Sequence, residues 1–363
     1  MKHKANILRR VLASMAPHWR GATPTVVTAD QVGTGTRLKT MHEYALTTYD
    51  LPGNGLSGAI FHADLAGALV GLKGEVELKG DKLGWTLTSG LLTHRLTPAG
   101  VTPTGREWAE WDDAATASET VTLPLAGVEY VLAATSRDLA RPILTSVLLD
   151  ETGLVATDSY RLHLAPIANG LSARLLDATS LKRACKIARA DKHDTLTLTT
   201  GTDPSGKTLT RVIAGGVASF AAPTVAGDVF PAYRELIPDM GTLTLVSVDA
   251  SGLRQVLGNA PKGARVVLTI NNNNGPESQY LAASIEGGET TSPVDLGVAM
   301  LPACIGPACP AAPAPVRLSA AYLADALVSL ERVSIGFSGL ERKPLPVGEA
   351  GRAASALVMP IAG

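Results

Sequence analysis

Aromatic side chains make up only 4% of the 363 residues, so the interior must be built from Leu, Val, Ile and Ala, with Thr on outward strand faces. Cysteine is almost missing. Cys185, Cys304 and Cys309 are too few for a disulfide framework and suit a reducing compartment. The pair in "CIGPAC" lacks metal-ribbon spacing and has no second Cys or His pair nearby, which argues against a metal. Long apolar runs are lacking too: nothing approaches the roughly 18 uninterrupted residues of a membrane span. The expectation is a cytoplasmic protein with no membrane contact. Excess charge of either sign is also absent. A formal net charge of -1 argues against coating nucleic acid by bulk attraction, although basic residues can still gather on one surface.

Recognisable catalytic patterns are equally hard to find. The histidines, at 3, 18, 42, 62, 94, 163 and 193, stand singly, and none shows a metal-binding spacing such as H-E-x-x-H. "GTGTR" at 33 lacks the strand-to-helix context of a dinucleotide loop, and there is no Walker sequence. We therefore expect no cofactor, no metal and no catalysis, with an enzyme of unrecognised site as the outlying alternative. The basic, amphipathic start "MKHKANILRRVLASMA" has the look of a transit peptide. Its Ile7, Leu8, Val11, Leu12 and Met15 nevertheless follow helical spacing, and Arg9 and Arg10 interrupt any apolar signal core, so a structural helix is expected.

What the sequence does contain is repetition. Short amphipathic patterns recur at "NILRRVLASM", "HADLAGALVGL" (from 62), "LAGVEYVLAA" (from 125), "SLKRACKIARA" (from 180), "DASGLRQVLGNA" (from 249) and "SAAYLADALVSL" (from 319). Several begin at a capping residue such as Ser180, Asp249 or Ser319. Their starts are very roughly 60 residues apart, a period that marks an internal repeat. Between them run alternating strands, as in "GEVELKGDKLGWTLTSGLLTHRLT" (74–97), "DTLTLTT" and "ARVVLTINNN". "NNNNG" at 271 fits a hairpin connection. Helix followed by meander, taken twice, makes an α+β domain of about 120 residues with both helices on one side of its sheets. Three domains result: 1–119, 120–241 and 242–363. "EWAEWDDAATASET" (107–120) and "FPAYRELIPDMGT" (230–242) separate them. The Pro- and Ala-rich run 302–316 is expected to be an enlarged loop, unsuited to helix or sheet interior.

The helices carry basic residues. In the fourth, Leu181, Ala184, Cys185 and Ala188 form the inward stripe, which leaves Lys182, Arg183, Lys186 and Arg189 facing out. The first exposes Arg9 and Arg10, followed by Arg20, and the fifth offers Arg254, with Lys262 and Arg265 beyond it. For any one helix this is an ordinary solvated face; several aligned would make a positive track for phosphates. The sixth, with Asp325 and Glu331, departs from the trend.

One stretch unites these observations. "SRDLARPILTSVLLDETGLVATDSYRLHLAPI" (136–167) closely resembles the central domain of the bacterial sliding clamp, the beta subunit of DNA polymerase III, in which Arg-Pro-x-Leu, a strand and Ala-Thr-Asp-Gly-x-Arg-Leu recur. "FPAYRELIP" (230–238) and the terminal "LVMPIAG" (357–363) are similar to the same family, in the same order and spacing. Residues 58–96 resemble the second half of its first domain in pattern more than identity. The third domain matches weakly apart from "VRLSAAYLADALVSL" and the tail.

The resemblance implies a fold of three domains of paired repeats, with two chains closing a ring. It implies a processivity factor that encircles double-stranded DNA without sequence preference and tethers the polymerase, the clamp loader and other proteins bearing clamp-binding peptides. A clamp-like decoy or resistance paralogue is the alternative. The family's peptide pocket, carried over by residue, comprises Leu144, Thr157, Ser159, Tyr160, Arg161 and Leu162, then Pro231 and Leu236, then Val358, Met359, Pro360 and Ile361. Apolar walls would bury the peptide's anchors while Arg161 orients its polar part, and Asp158 secures the turn. Arg20, Arg137 and Arg141 lie near positions that face the duplex in the family. Lys182, Lys186 and Arg189, with Arg9, Arg10 and Arg254, are placed toward DNA by helix geometry alone. The chain departs from the family at Ser159, where Gly is usual and a positive φ is at stake, at Glu235, often basic, and in its Ile361-Ala362-Gly363 ending.

Overall fold

The structure, a computed structural model, describes residues 2–15, 25–42, 45–53, 55–100, 116–167, 173–202, 208–214, 218–222, 230–239, 242–271, 280–286, 295–305, 314–328, 330–340, 343–349 and 354–361. Among them are six α-helices, each where the apolar spacing places one: α1 (Ala5–Met15), α2 (His62–Ala68), α3 (Leu125–Leu132), α4 (Ala178–Asp191), α5 (Ala250–Gly258) and α6 (Ala320–Ala326). Antiparallel strands occupy the intervals, so the chain is α+β and mostly sheet. Capping explains where helices start. Asp249 accepts the Ser251 N–H at 2.6 Å and Ser319 the Tyr322 N–H at 3.4 Å. At α4 the cap is Asp177, which accepts from Ser180 N–H at 2.7 Å. That helix therefore begins before the expected cap, and Ser180 lies inside it.

Two compact units share the chain: Met1–Val128 with Arg174–Ala226, and Glu129–Ala173 with Gly227–Gly363. In the first, Lys2–Lys4, Glu75–Asp81, Gly84–Ser89 and Leu92–Leu96 form a four-stranded sheet in that order. A second sheet runs from Gly58–Phe61 through Val26–Val32, Gly35–His42 and Ala45–Pro52. It continues into Ala218–Ala222, Thr208–Ala214, Thr195–Thr202 and Thr116–Pro124. The last of these takes up residues 116–120, expected as linker; 107–115 lie outside the described residues. Pairing of Tyr49 with Ala218 and Thr48 with Ser219 joins the early meander to the later one.

Helix α1 packs against α2 and α4, burying Leu8, Leu12 and Met15 completely or nearly so. Helix α4 also lies on the strands Thr195–Thr202, Thr208–Ala214 and Ala218–Ala222. With cover on two sides, its buried arc is wider than one apolar stripe. Arg183, expected outside, is buried, and the exposed positions contract to Thr179, Lys182, Lys186 and Arg189, which share one narrow face.

In the second unit a meander of Ser146–Asp150, Gly153–Thr157 and Arg161–Pro166 pairs edge to edge with Ala354–Val358. The ladder goes on through Leu345–Glu349, Arg332–Phe337, Thr244–Asp249, Asp295–Ile305, Tyr280–Glu286, Arg265–Asn271 and Val316–Ser319. Helices α5 and α6 touch each other, and Leu253, Leu257, Leu323 and Leu327 disappear into the core with Val266 and Ile335. Each such burial contributes roughly 2 kcal/mol. Arg265–Asn271 and Tyr280–Glu286 pair as the expected hairpin.

The run 302–316 is less of a loop than its composition suggests. Residues 302–305 finish the strand Asp295–Ile305 and Val316 begins the next; 306–313 lie outside the described residues. That strand changes partners at its proline: residues up to Pro302 pair with Tyr280–Glu286, and Ala303, Cys304 and Ile305 pair with Val248, Ser247 and Val246. A residue without an N–H is tolerated where one ladder ends and the other starts.

One buried polar group sits at the heart of this unit. His163, wholly buried, lies opposite Ala356 in the ladder. Its Nδ1–H donates to Tyr130 O at 2.8 Å, and the two rings stack with centroids 4.5 Å apart. The Tyr130 hydroxyl, pushed up to about 12 by burial, reaches Ala326 O at 3.3 Å and Ser355 Oγ at 3.2 Å. Since Nδ1 carries the proton, Nε2 is a bare lone pair, and it has no hydrogen-bond partner among the described residues.

Burial, with the Arg161 charge adding to it, depresses the His163 pKa from 6.5 to about 4, against the opposing pull of the Tyr130 carbonyl, Asp325 and Asp158. Neutral His163 is therefore favoured by folding above pH 6.5, and that contribution is lost as pH falls from 6.5 toward 4. Between pH 7 and 4, urea denaturation should show the wild type losing about 3 kcal/mol more than His163→Gln. Parallel stability curves would contradict this.

Candidate functional site

The stretch "LVATDSYRL" is strand, turn and strand, with Thr157 opposite Leu162 and Gly153 opposite Pro166. Gly153, at φ +137, permits the close entry: a Cβ there would stand 2.2 Å from Ala165 O. At the other end the polar residues are engaged with each other. Thr157 donates its hydroxyl to Arg161 O (2.7 Å) and accepts the Ser159 N–H (3.1 Å). Asp158 Oδ1 accepts the N–H groups of Tyr160 and Arg161, both at 3.0 Å, and Oδ2 accepts Arg161 Nε–H at 3.1 Å. This is a carboxylate-nucleated turn. It forces Ser159 to φ +78, in the left-handed region where a Cβ costs about 1–2 kcal/mol.

Arg161 has further partners on α6. Its Nη1 pairs with Asp325, and its guanidinium lies 4.3 Å from the centroid of the Tyr322 ring. The side chain is only 11% exposed. Arg161 thus binds the turn to α6, while Arg141 reaches the same turn from the surface. Arg141 Nε pairs with Asp138 at 3.0 Å, and its Nη1 lies 3.4 Å from Ser159 Oγ.

The tail arrives by sheet pairing. Arg161 lies opposite Val358, Leu162 opposite Leu357 and His163 opposite Ala356. Beyond the strand, Met359 N–H donates to Tyr160 O at 2.9 Å and Ile361 N–H to Arg317 O at 2.8 Å. Arg317 is itself held by both oxygens of Glu286, at 2.9 and 3.2 Å. Val358 is buried, and Met359, Pro360 and Ile361 are half-buried.

"FPAYRELIP" is fastened to the same meander through one side chain. Tyr233, in the 3-10 turn Tyr233–Leu236, packs with Val155, Leu162 and Leu357. Its hydroxyl donates to Asp150 Oδ2 at 2.6 Å. Burial pushes the Asp150 pKa up, but hydrogen bonds from Thr152 and Tyr233 and the Arg234 charge outweigh it and hold the carboxyl below its usual value. With Tyr233 anchored, Pro231 and Leu236 are left exposed, Leu236 at 51%; Tyr160 on the neighbouring turn is 60% exposed. Leu144, in the short 3-10 helix Pro142–Thr145, is buried.

Strand pairing thus brings residues 157–162 and 358–361 together, and Tyr233 attaches the third segment. Asp325, Tyr322, Tyr233, Asp150 and Tyr130 all act here, and sequence patterns did not single them out. Their partners are distant in the chain; Asp325 only stood out as an acid on a helix in a series of basic ones.

The basic residues fall into several settings. In the first unit Lys182, Lys186 and Arg189 share the exposed face of α4, and Arg9 and Arg10 are half-buried on α1 beside it. In the second, Arg137 and Arg141 are exposed ahead of the meander. Arg254 is half-buried and donates Nη1–H to Leu327 O (3.1 Å) and Leu330 O (2.5 Å), closing the end of α6. Arg20 lies outside the described residues. The first unit also holds a cleft of about 450 Å³, lined by residues of α2 and of Leu92–Leu96 that include Asp64, His94 and Arg95. Among the described residues no group of three or more His, Cys, Asp or Glu is placed to hold a metal ion, and no helix is long and apolar enough to cross a membrane.

No protein-family model matches the chain, and no curated protein does either. Solved structures do. The DNA polymerase III beta subunit of Thermotoga maritima is similar over 100% of this chain and 99% of its own, with a TM-score of 0.74 at 18% identity. The DNA polymerase III subunit beta of Pseudomonas aeruginosa covers 99% of each chain, with a TM-score of 0.75 at 16% identity. The Caulobacter crescentus beta sliding clamp covers 100% of this chain and 98% of its own, with a TM-score of 0.73 at 15% identity. The fold is therefore that of the DNA polymerase III beta sliding clamps, in a widely diverged sequence.

Relief of the left-handed strain at position 159 is directly measurable. Ser159→Gly should raise the unfolding free energy by about 1 kcal/mol in urea or thermal denaturation, and a loss of stability would contradict the turn geometry.

Proposed function

We propose that the chain is a DNA sliding clamp. In this reading it consists of three domains, 1–119, 120–241 and 242–363, each a pair of helix-plus-meander repeats, and two copies close a ring around duplex DNA. The ring tethers polymerase, clamp loader and other replication or repair proteins by their short peptides. It is a cytoplasmic, non-catalytic accessory subunit that needs no cofactor. The observation that carries the proposal is the register of Arg161–His163 against Ala356–Val358 within a fold similar to sliding clamps along the whole chain. It puts the diagnostic turn and the C-terminal tail side by side.

The peptide site follows from that juxtaposition. Tyr160, Leu236, Pro231 and the half-buried Met359, Pro360 and Ile361 supply apolar surface over a base of Leu144, Leu162 and Val358, with Thr157 and Ser159 at the turn. Exposed apolar side chains above a packed floor are what peptide anchors bury against. Arg141, exposed and reaching Ser159, is the cation a peptide meets first, and Arg161 positions the turn from within.

Closure around DNA relaxes the demand for tight binding, since topology opposes departure while moderate phosphate contacts permit sliding. The exposed face of α4, with Lys182, Lys186 and Arg189, suits that task, and Arg9, Arg10, Arg20, Arg137 and Arg254 are the further candidates. For ring closure the strand Leu92–Leu96 is the natural seat of a second copy. Among the described residues it is the last strand of its sheet, and Leu91 and Leu92 are exposed at its start, an edge of the kind that pairs with another chain.

Primer extension on long single-stranded templates with the cognate polymerase and loader tests the proposal: the loaded protein should lengthen products. Shortened products would mark a decoy that captures partners without serving replication. Tyr160→Ala with Met359→Ala should weaken binding of a partner peptide by about tenfold or more and leave the dimer mass unchanged; undiminished affinity would remove the pocket. Lys182→Glu with Lys186→Glu should lower retention on DNA in moderate salt and spare peptide binding. Retention equal to the wild type would take α4 off the DNA path.

A further inference from the structure

We infer that Asp325 sets the charge preference of the proposed peptide site, by occupying Arg161 so that this guanidinium is withheld from acidic ligands. The inference rests on the peptide-site proposal above and adds to it the chemistry of the preferred peptide. The family resemblance leads one to expect Arg161 to orient a peptide's polar part, and the geometry gives it other employment. Nε is committed to Asp158 at 3.1 Å, Nη1 is committed to Asp325, and one face of the guanidinium is covered by Tyr322 at 4.3 Å.

Accessibility points the same way. The Arg161 side chain is 11% exposed and that of Asp325 42%. An approaching group therefore meets the Asp325 carboxylate before the cation beneath it. One guanidinium between two carboxylates leaves a net negative charge at this spot. A peptide carboxylate placed here is repelled and finds Nε and Nη1 already taken on a side chain only 11% exposed, whereas an amide or hydroxyl incurs no such penalty. Arg141, paired with Asp138, is the same in every variant and so does not alter the comparison between them.

Asp325 is a specificity-determining residue that acts through Arg161. Neutralising it releases Nη1 and removes the repelling charge together. Loss of its carboxylate should not unsettle α6. An acid in the last turn of a helix is electrostatically unfavourable there.

The test uses the full chain and two fluorescent peptides, one with Leu and Phe anchors around a single Asp and the other with Asn in its place, measured by anisotropy. Wild type should bind the Asn peptide at least as well as the Asp peptide. Asp325→Asn should move the Asp-to-Asn affinity ratio toward Asp by about tenfold, the effect of one charge-assisted pair. Asp325→Glu, which keeps the carboxylate, should keep the wild-type ratio and serves if the Asn variant misfolds, since a shift in it overturns the inference. Glu235→Gln, an equal charge change without contact to Arg161, should alter the ratio by about twofold at most. An unchanged ratio in Asp325→Asn with both peptides still bound overturns the inference and leaves the site standing, as does an equal shift in Glu235→Gln. Failure of both peptides to bind any variant or wild type overturns the peptide site itself, and the inference with it.

Discussion

The antiparallel pairing of Arg161–His163 with Ala356–Val358 is the interaction on which the rest of the second unit depends. It makes one continuous ladder of a meander from the middle of the chain and the strand that nearly ends it. Backbone hydrogen bonds alone would leave the register free to slip. Three side chains prevent that. His163 is locked under Tyr130, Arg161 reaches across to Asp325 and Tyr322, and Leu162 packs with Leu357 and Tyr233. A slip of one residue would turn all three to the wrong face.

The same pairing explains why the acid, hydroxyl and base of the turn are structural. A turn that must present its outer side chains to a partner needs its backbone fixed from within, and Thr157 and Asp158 supply this with short local hydrogen bonds. Ser159 bears the resulting strain. The apolar side chains that remain outside, Tyr160 and Leu236 above all, are then held on a rigid base. In the proposed clamp this is how a peptide site is kept ready without enclosing walls.

Much of the fold was legible because its signals are local. Helical spacing such as Leu8, Leu12 and Met15, caps such as Asp249 and Ser319, and alternation in 74–97 all report on neighbours a few residues away. So did "ATDSYRL", whose turn chemistry is contained in five residues. The misjudged points depend on distant ones. Arg183 is buried because α4 has both a helix and a sheet against it. Pro302 sits in a strand because two ladders change over at that residue. Asp325 is separated from Arg161 by 164 residues in the chain, so its pairing left no pattern to read. The apolar half of the candidate site was therefore readable, and its electrostatic half was not.

Near-neutral overall charge fits a protein that concentrates basic residues on one helix face and balances them elsewhere. In the proposed ring this would suffice, because enclosure rather than affinity would keep the protein on DNA. That claim is tested most directly by loading the protein onto a nicked circular plasmid, isolating the complex by gel filtration, and cutting the plasmid once. The account predicts that the protein stays with the circle in moderate salt and is released when the DNA acquires ends. Equal retention on circular and linear DNA, or none on either after loading, would contradict it.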